Sequence, residues 1–96
     1  MYARITTYHC KPETMDDAIV LFEKMKPEIM AISGLKHMFK TGNKDGNCAL
    51  VAIYENREAA EAAMDTVRAF FARFAEYIDS APQPLGYEVL VHGTNP

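Results

Sequence analysis

The order of hydrophobic patterns along this chain leaves it few ways to fold. A strand-like stretch, a long amphipathic helix, a hairpin, a second long helix and a last strand-like stretch follow one another with almost nothing between them. A β-α-β-β-α-β chain has one common solution, a four-stranded antiparallel sheet with both helices on one face. At 96 residues the chain is expected to be one domain spanning 1–96.

Each element is legible from its period. Tyr2 to His9 is rich in Tyr, Ile and Thr and reads as a strand, which Lys11-Pro12-Glu13 ends. Thr14 is the predicted cap of helix 1, with Asp16 and Asp17 in its first turn, where the helix dipole favours negative charge. Met15, Ala18, Ile19, Phe22, Met25, Ile29 and Ile32 recur at steps of three and four, so one helix face is apolar. Pro27 lies inside that pattern and predicts a kink or break near Lys26, with the helix resuming to Ile32. Ser33-Gly34 closes it. Leu35 to Lys40 and Asn47 to Glu55 form a hairpin around the turn-rich segment Thr41 to Gly46. Asn56 caps helix 2, whose apolar stripe begins small at Ala60 and Ala63 and ends bulky at Phe70, Phe71, Phe74, Tyr77 and Ile78. The final strand is expected from Leu85 to His92.

Composition narrows the function classes. With 49% hydrophobic and 24% charged residues the chain is too apolar for disorder, and no apolar run approaches the roughly 20 residues of a membrane span. No membrane partner is expected. A net charge of −3 without a basic run argues against nucleic acid. Met1 to Thr6 enters a strand pattern at once, with no basic start and apolar stretch, which predicts a cytoplasmic location. Cys10 and Cys48 lack CxxC or zinc-finger spacing and are expected to be buried free thiols, with no metal site.

The central strand carries a further inference. Cys48-Ala49-Leu50-Val51-Ala52-Ile53-Tyr54 is an almost unbroken apolar run, which in an antiparallel sheet implies that both faces are covered. Helices cover one face only. Ala49, Val51 and Ile53 therefore predict a homodimer interface on the other. If Ile5 faces the helices, then Arg4 points to that interface too, where it needs a carboxylate such as Glu55 or Glu88, or else binds an anionic substrate.

Ser33-Gly34-Leu35, the segment Tyr54-Glu55-Asn56-Arg57-Glu58-Ala59 and the element order together resemble the dimeric α+β barrel proteins of the antibiotic-biosynthesis-monooxygenase type. The second segment is similar to that family's Trp-Glu-x-x-Glu-Ala lead into helix 2, with Tyr54 in place of the tryptophan. The resemblance implies a ferredoxin-like α+β fold whose sheets stack across a two-fold axis into a homodimeric barrel. It further implies a small hydrophobic or phenolic ligand held between sheet and helices, near Tyr54, Met64, Val67, Phe71 and Phe22. Family activities include cofactor-independent oxygenation of phenols and haem degradation. Haem degradation needs an axial imidazole from helix 2, and Arg57 to Ile78 contains no histidine, so no cofactor is expected. A cofactor-independent monooxygenase would use Tyr54 to orient the substrate and His37 as a base. The alternatives are a binding protein without turnover and a structural or stress-related dimer.

Overall fold

The computed structural model describes residues 1–96 throughout. Strand β1 (Tyr2–His9) leads through a 3-10 turn (Pro12–Thr14) into α1 (Met15–Met30), then β2 (Leu35–Gly42), β3 (Asn47–Tyr54), α2 (Arg57–Ala62), α3 (Met64–Ala72) and β4 (Gln83–Glu88). The four strands form one antiparallel sheet in the order β2-β3-β1-β4. This is the ferredoxin-like α+β arrangement that the element order predicts.

Register decides what each strand shows to the helices. Arg4 lies opposite Ala52 on β3 and Gly86 on β4, and Thr6 lies opposite Leu50 and Pro84. Tyr2, Thr6, Tyr8, Cys48, Leu50, Ala52 and Tyr54 are buried beneath the helices. Ile5 is on the other face and Arg4 is on the helix face, the reverse of the orientation expected for β1. Ala49, Val51 and Ile53 alternate to the far face, as the period-two pattern requires. There they lie beside Phe39, Leu85 and Tyr87, which are 55, 48 and 53% exposed.

The core is in two parts. Ala18, Phe22, Met25 and Ile29 of α1 pack with Tyr8, Cys10, Cys48, Leu50 and Phe74, and both cysteines are free and buried. A smaller cluster joins Ala60 and Ala63 to Tyr2, Ala52 and Tyr54. Small residues let α2 sit close to the sheet, whereas α3 has no fully buried residue and stands over a space.

Several boundaries differ from expectation. The Thr14 side chain makes no cap to α1; its hydroxyl donates to the Lys11 carbonyl at 3.0 Å, closing the preceding 3-10 turn. Helix α1 runs unbroken to Met30 through Pro27. Pro27 and Glu23, four residues earlier, are both exposed, so water can satisfy the carbonyl that the proline leaves unpaired. The second helix is divided at Ala63, and Asn56 caps α2 by accepting from the Ala59 amide at 2.8 Å. Strand β4 runs from Gln83 to Glu88 rather than from Leu85 to His92; beyond Glu88 the Val89 amide still donates to the Met1 carbonyl at 3.0 Å, and Leu90 and Val91 are exposed. No helix is long and apolar enough to cross a membrane.

Candidate ligand site

Where α3 stands off the sheet, two adjoining cavities open. The larger, about 680 Å3, lies between α3 with its following segment and the β1–β4 side of the sheet. Its wall includes Arg4, Thr6, Met64, Val67, Phe71, Ile78 and the stretch Asp79 to Pro82. The smaller, about 40 Å3, reaches into the core and is lined by Phe22, Tyr54, Phe74, Tyr8 and Lys40 among others. Arg4, Thr6, Val67, Phe71 and Ile78 belong to both walls. The larger volume matches that of small-molecule sites, and the smaller is sized for water or a side group.

The residues expected around a ligand fall as follows. Val67 and Phe71 line both cavities, Tyr54 and Phe22 the small one, and Met64 the large one. His37 lines neither. It is exposed on the far face, with its ring stacked against Phe39 at 6.5 Å between centroids. A break in the two-residue alternation separates it from Tyr54: Leu35 pairs with Tyr54, and the irregularity between Leu35 and His37 leaves His37 opposite Ile53. Tyr54 and His37 are thus on opposite sides of the sheet, and His37 is no base for a ligand beside Tyr54.

Arg4 is the residue whose place the sequence reading missed. Its guanidinium lies over the Tyr2 ring, 5.4 Å from the centroid. Its nearest carboxylate is neither Glu55 nor Glu88 but Glu61 of α2, 3.7 Å from Nη2 and half exposed; the same oxygen is 3.6 Å from Arg57 Nε. Nε and Nη2 are buried with no hydrogen-bond partner. Gly86 makes this placement possible. It sits opposite Arg4, and a Cβ there would collide with the Tyr2 hydroxyl and lie 2.8 Å from Arg4 Nη1. The recurrence of Tyr2, Arg4, Thr6 and Tyr8 on one face of β1, set against a glycine on β4, was the available signal.

Electrostatics differ along the walls. Burial raises the Tyr54 phenol above its usual range, and the Arg4 charge draws it partly back. Burial also raises Tyr8, against the pull of Lys40. Burial alone would lower the Lys40 ammonium, yet the nearby Tyr8 phenol and Cys48 thiol together raise it. Lys40 Nζ is 3.5 Å from Cys48 Sγ and 5.2 Å from the Tyr8 ring centroid.

A polar clamp holds the rim of the larger cavity. His9 Nδ1 is 2.6 Å from Asp79 Oδ1 and Nε2 is 2.8 Å from the Asp45 carbonyl oxygen, while the His9 amide donates to Ser80 Oγ at 2.8 Å. Both ring nitrogens face acceptors, so the imidazolium is favoured; the hydrogen bond to Asp79, then that to Asp45, raises the His9 pKa above 6.5. Because the folded pKa is raised, the clamp's stabilisation is complete below the unfolded value of about 6.5 and is lost as pH climbs through the folded value. In melts from acid to alkaline pH, the excess Tm of the wild type over His9→Gln is expected to shrink above neutrality. A difference that grows with pH would refute this.

No three His, Cys, Asp or Glu side chains converge as metal ligands. The helices over the cavities carry no histidine, cysteine or tyrosine from Arg57 to Ala72, and Met64 is the one soft donor of that stretch in the larger wall. These residues do not fit an imidazole-ligated haem.

No protein-family model matches the sequence, and no curated protein matches it. Solved structures show what the fold is similar to. A protein of unknown function from Nitrosomonas europaea superposes with a TM-score of 0.80 at 16% identity, covering 99% of this chain and 94% of its own. A candidate antibiotic biosynthesis monooxygenase from Bordetella bronchiseptica gives 0.77 at 14% identity over 94 and 97% of the two chains. A substituted MhuD, solved with two manganese protoporphyrin IX molecules per active site, gives 0.78 at 13% identity over 99 and 100%. The chain therefore has the fold of the antibiotic-biosynthesis-monooxygenase-like proteins.

Proposed function

We propose that this protein binds a small hydrophobic, phenolic compound between α3 and the sheet and acts on it as a cofactor-independent monooxygenase. The observation that carries the reading is the cavity of about 680 Å3 beside Val67 and Phe71, in a fold shared with a candidate monooxygenase. Tyr54 orients the compound from the wall of the smaller cavity, which adjoins the larger one through Arg4, Thr6, Val67, Phe71 and Ile78. The chemistry balances without an external reductant. A phenolate passes an electron to oxygen, the radicals combine at the carbon para to the phenol, and the peroxide loses water. One phenol and one O2 give one quinone and one H2O.

With no histidine in either wall, the phenol proton is not taken by an enzyme imidazole. Oxygen consumption with a panel of polycyclic phenols whose para carbon bears hydrogen is expected at one O2 per quinone formed, without release of hydrogen peroxide and with a rate that follows the phenol's own ionisation. No uptake above the protein-free rate across the panel would sink the oxygenase reading. That same lack of a cavity-facing histidine favours a second reading, binding without turnover, for which a compound would copurify and remain unchanged under air.

The far sheet face supports a homodimer. Phe39, Val51, Ile53, Leu85 and Tyr87 form an apolar surface that the chain's own helices leave uncovered. Ala49, Val51 and Ile53 belong to the proposed interface, whereas Arg4 does not. Sedimentation equilibrium is expected to give twice the 10.8 kDa chain mass, and the chain mass alone for Val51→Lys. A monomeric wild type would count against the dimer.

A further inference from the structure

We propose that the compound bound in the larger cavity carries a carboxylate, and that Arg4 is the group that receives it. This rests on the reading of that cavity as a ligand site and specifies which class of ligand it takes.

A guanidinium has one flat face for stacking and edges for hydrogen bonds. In Arg4 the face is used, because it lies over the Tyr2 ring. The edge formed by Nε and Nη2 is not: both atoms are buried and neither has a partner. Those two nitrogens present parallel N–H donors at the spacing of a carboxylate's two oxygens, which makes a bidentate pair the matching partner. A buried charge with unmet donors is costly, so a ligand carboxylate that reaches this edge is stabilised by relieving that cost. Glu61 does not complete it. Its oxygen is beyond hydrogen-bond distance at 3.7 Å, half exposed, and shared with Arg57.

The surroundings select an acid with an apolar body. Arg4 and Thr6 are the polar residues in the part of the wall common to both cavities, with Val67, Phe71 and Ile78 beside them. Arg68, the other cation of the larger cavity, is exposed and already paired to Asp65 at 2.6 Å. A planar aromatic acid would place its ring against Val67 and Phe71, and its carboxylate would meet the Arg4 edge once the guanidinium turns from Glu61 toward the cavity.

The test uses two probes of nearly equal shape, 2-naphthoate and the neutral 2-naphthamide, titrated calorimetrically into the full chain. Wild type is expected to prefer the acid by at least about tenfold, the scale of a charge-assisted bidentate pair. Arg4→Met is expected to keep its affinity for the amide and lose the preference. Glu61→Gln, a change at an exposed carboxylate that competes for Arg4, is expected to widen the preference and provides a test should Arg4→Met fail to fold. Equal wild-type affinities, a preference that survives in Arg4→Met, or one that falls in Glu61→Gln would each overturn the assignment while leaving the cavity as a ligand site. If neither probe binds any form, the ligand site itself is refuted together with the carboxylate.

Discussion

Gly46→Ala is expected to destabilise the protein by about 2–4 kcal/mol, the sum of a left-handed backbone cost and a backbone collision. Gly46 closes the loop between β2 and β3 with φ +95, where a Cβ is strained whatever space surrounds it. Space is also absent, since that Cβ would strike the Cys10 carbonyl oxygen and come within 2.6 Å of His9 Nε2. Neither obstacle moves cheaply. Gly46 accepts the Cys10 amide at 2.8 Å and donates to Asn43 at 2.9 Å, so displacing it breaks the join between the hairpin and the end of β1. It would also push on His9, which ties that hairpin to Asp79 and Ser80 at the rim of the larger cavity. Urea unfolding should show the loss, equivalent to a Tm lower by roughly 10–25 °C for a domain of this size. A variant within about 0.5 kcal/mol of wild type, the range of ordinary surface changes, would show that the loop relaxes freely.

Tyr54 carries the second large effect, and its two substitutions separate packing from chemistry. The side chain is 1% exposed and joins Tyr2, Ala52, Ala60 and Ala63 where α2 approaches the sheet. Tyr54→Ala removes a ring from that junction and is expected to cost about 3–5 kcal/mol, as for other buried aromatic truncations. Tyr54→Phe keeps the ring and should stay within roughly 1.5 kcal/mol of wild type, the scale of one net hydrogen bond. If Tyr54 orients the substrate, Tyr54→Phe should unfold like wild type yet oxygenate phenols more slowly. A Tyr54→Phe protein with unchanged oxygen uptake would reduce Tyr54 to a packing residue. An equal stability loss in both variants would show that the hydroxyl, not the ring, holds the junction.

The element order was readable because the apolar residues of each segment keep one period. Ala18, Phe22, Met25 and Ile29 can be satisfied only by a helix on a surface, and Cys48 to Tyr54 only by a strand inside a sheet. The cap at Asn56 was equally local, since its side chain needs nothing but the first turn of α2. Pro27 misled because a local rule predicts a break, while the exposed side of α1 lets water take over the lost hydrogen bond.

The site was legible in part. Val67 and Phe71 were named for a ligand pocket by the family resemblance, and both line the cavities, because their apolar stripe faces the sheet. His37 could not be excluded in advance, because an irregularity in strand pairing between Leu35 and His37 leaves no trace in composition.

What this sequence determined by itself is that there are two helices' worth of apolar stripe, four strands, and two apolar faces on β3. Which face of β1 meets the helices was decided only in three dimensions. Tyr2, Arg4, Thr6 and Tyr8 on one side and Ala3, Ile5 and Thr7 on the other are both mixed in polarity, so period alone does not choose between them. Pairing with β3 and with Gly86 of β4 settles it. Tyr2 and Tyr8 fill the space beneath the helices, and the missing side chain at Gly86 gives Arg4 room beside them. The cation is thereby carried from the far face to the cavity wall, a consequence of long-range register that no local pattern contains.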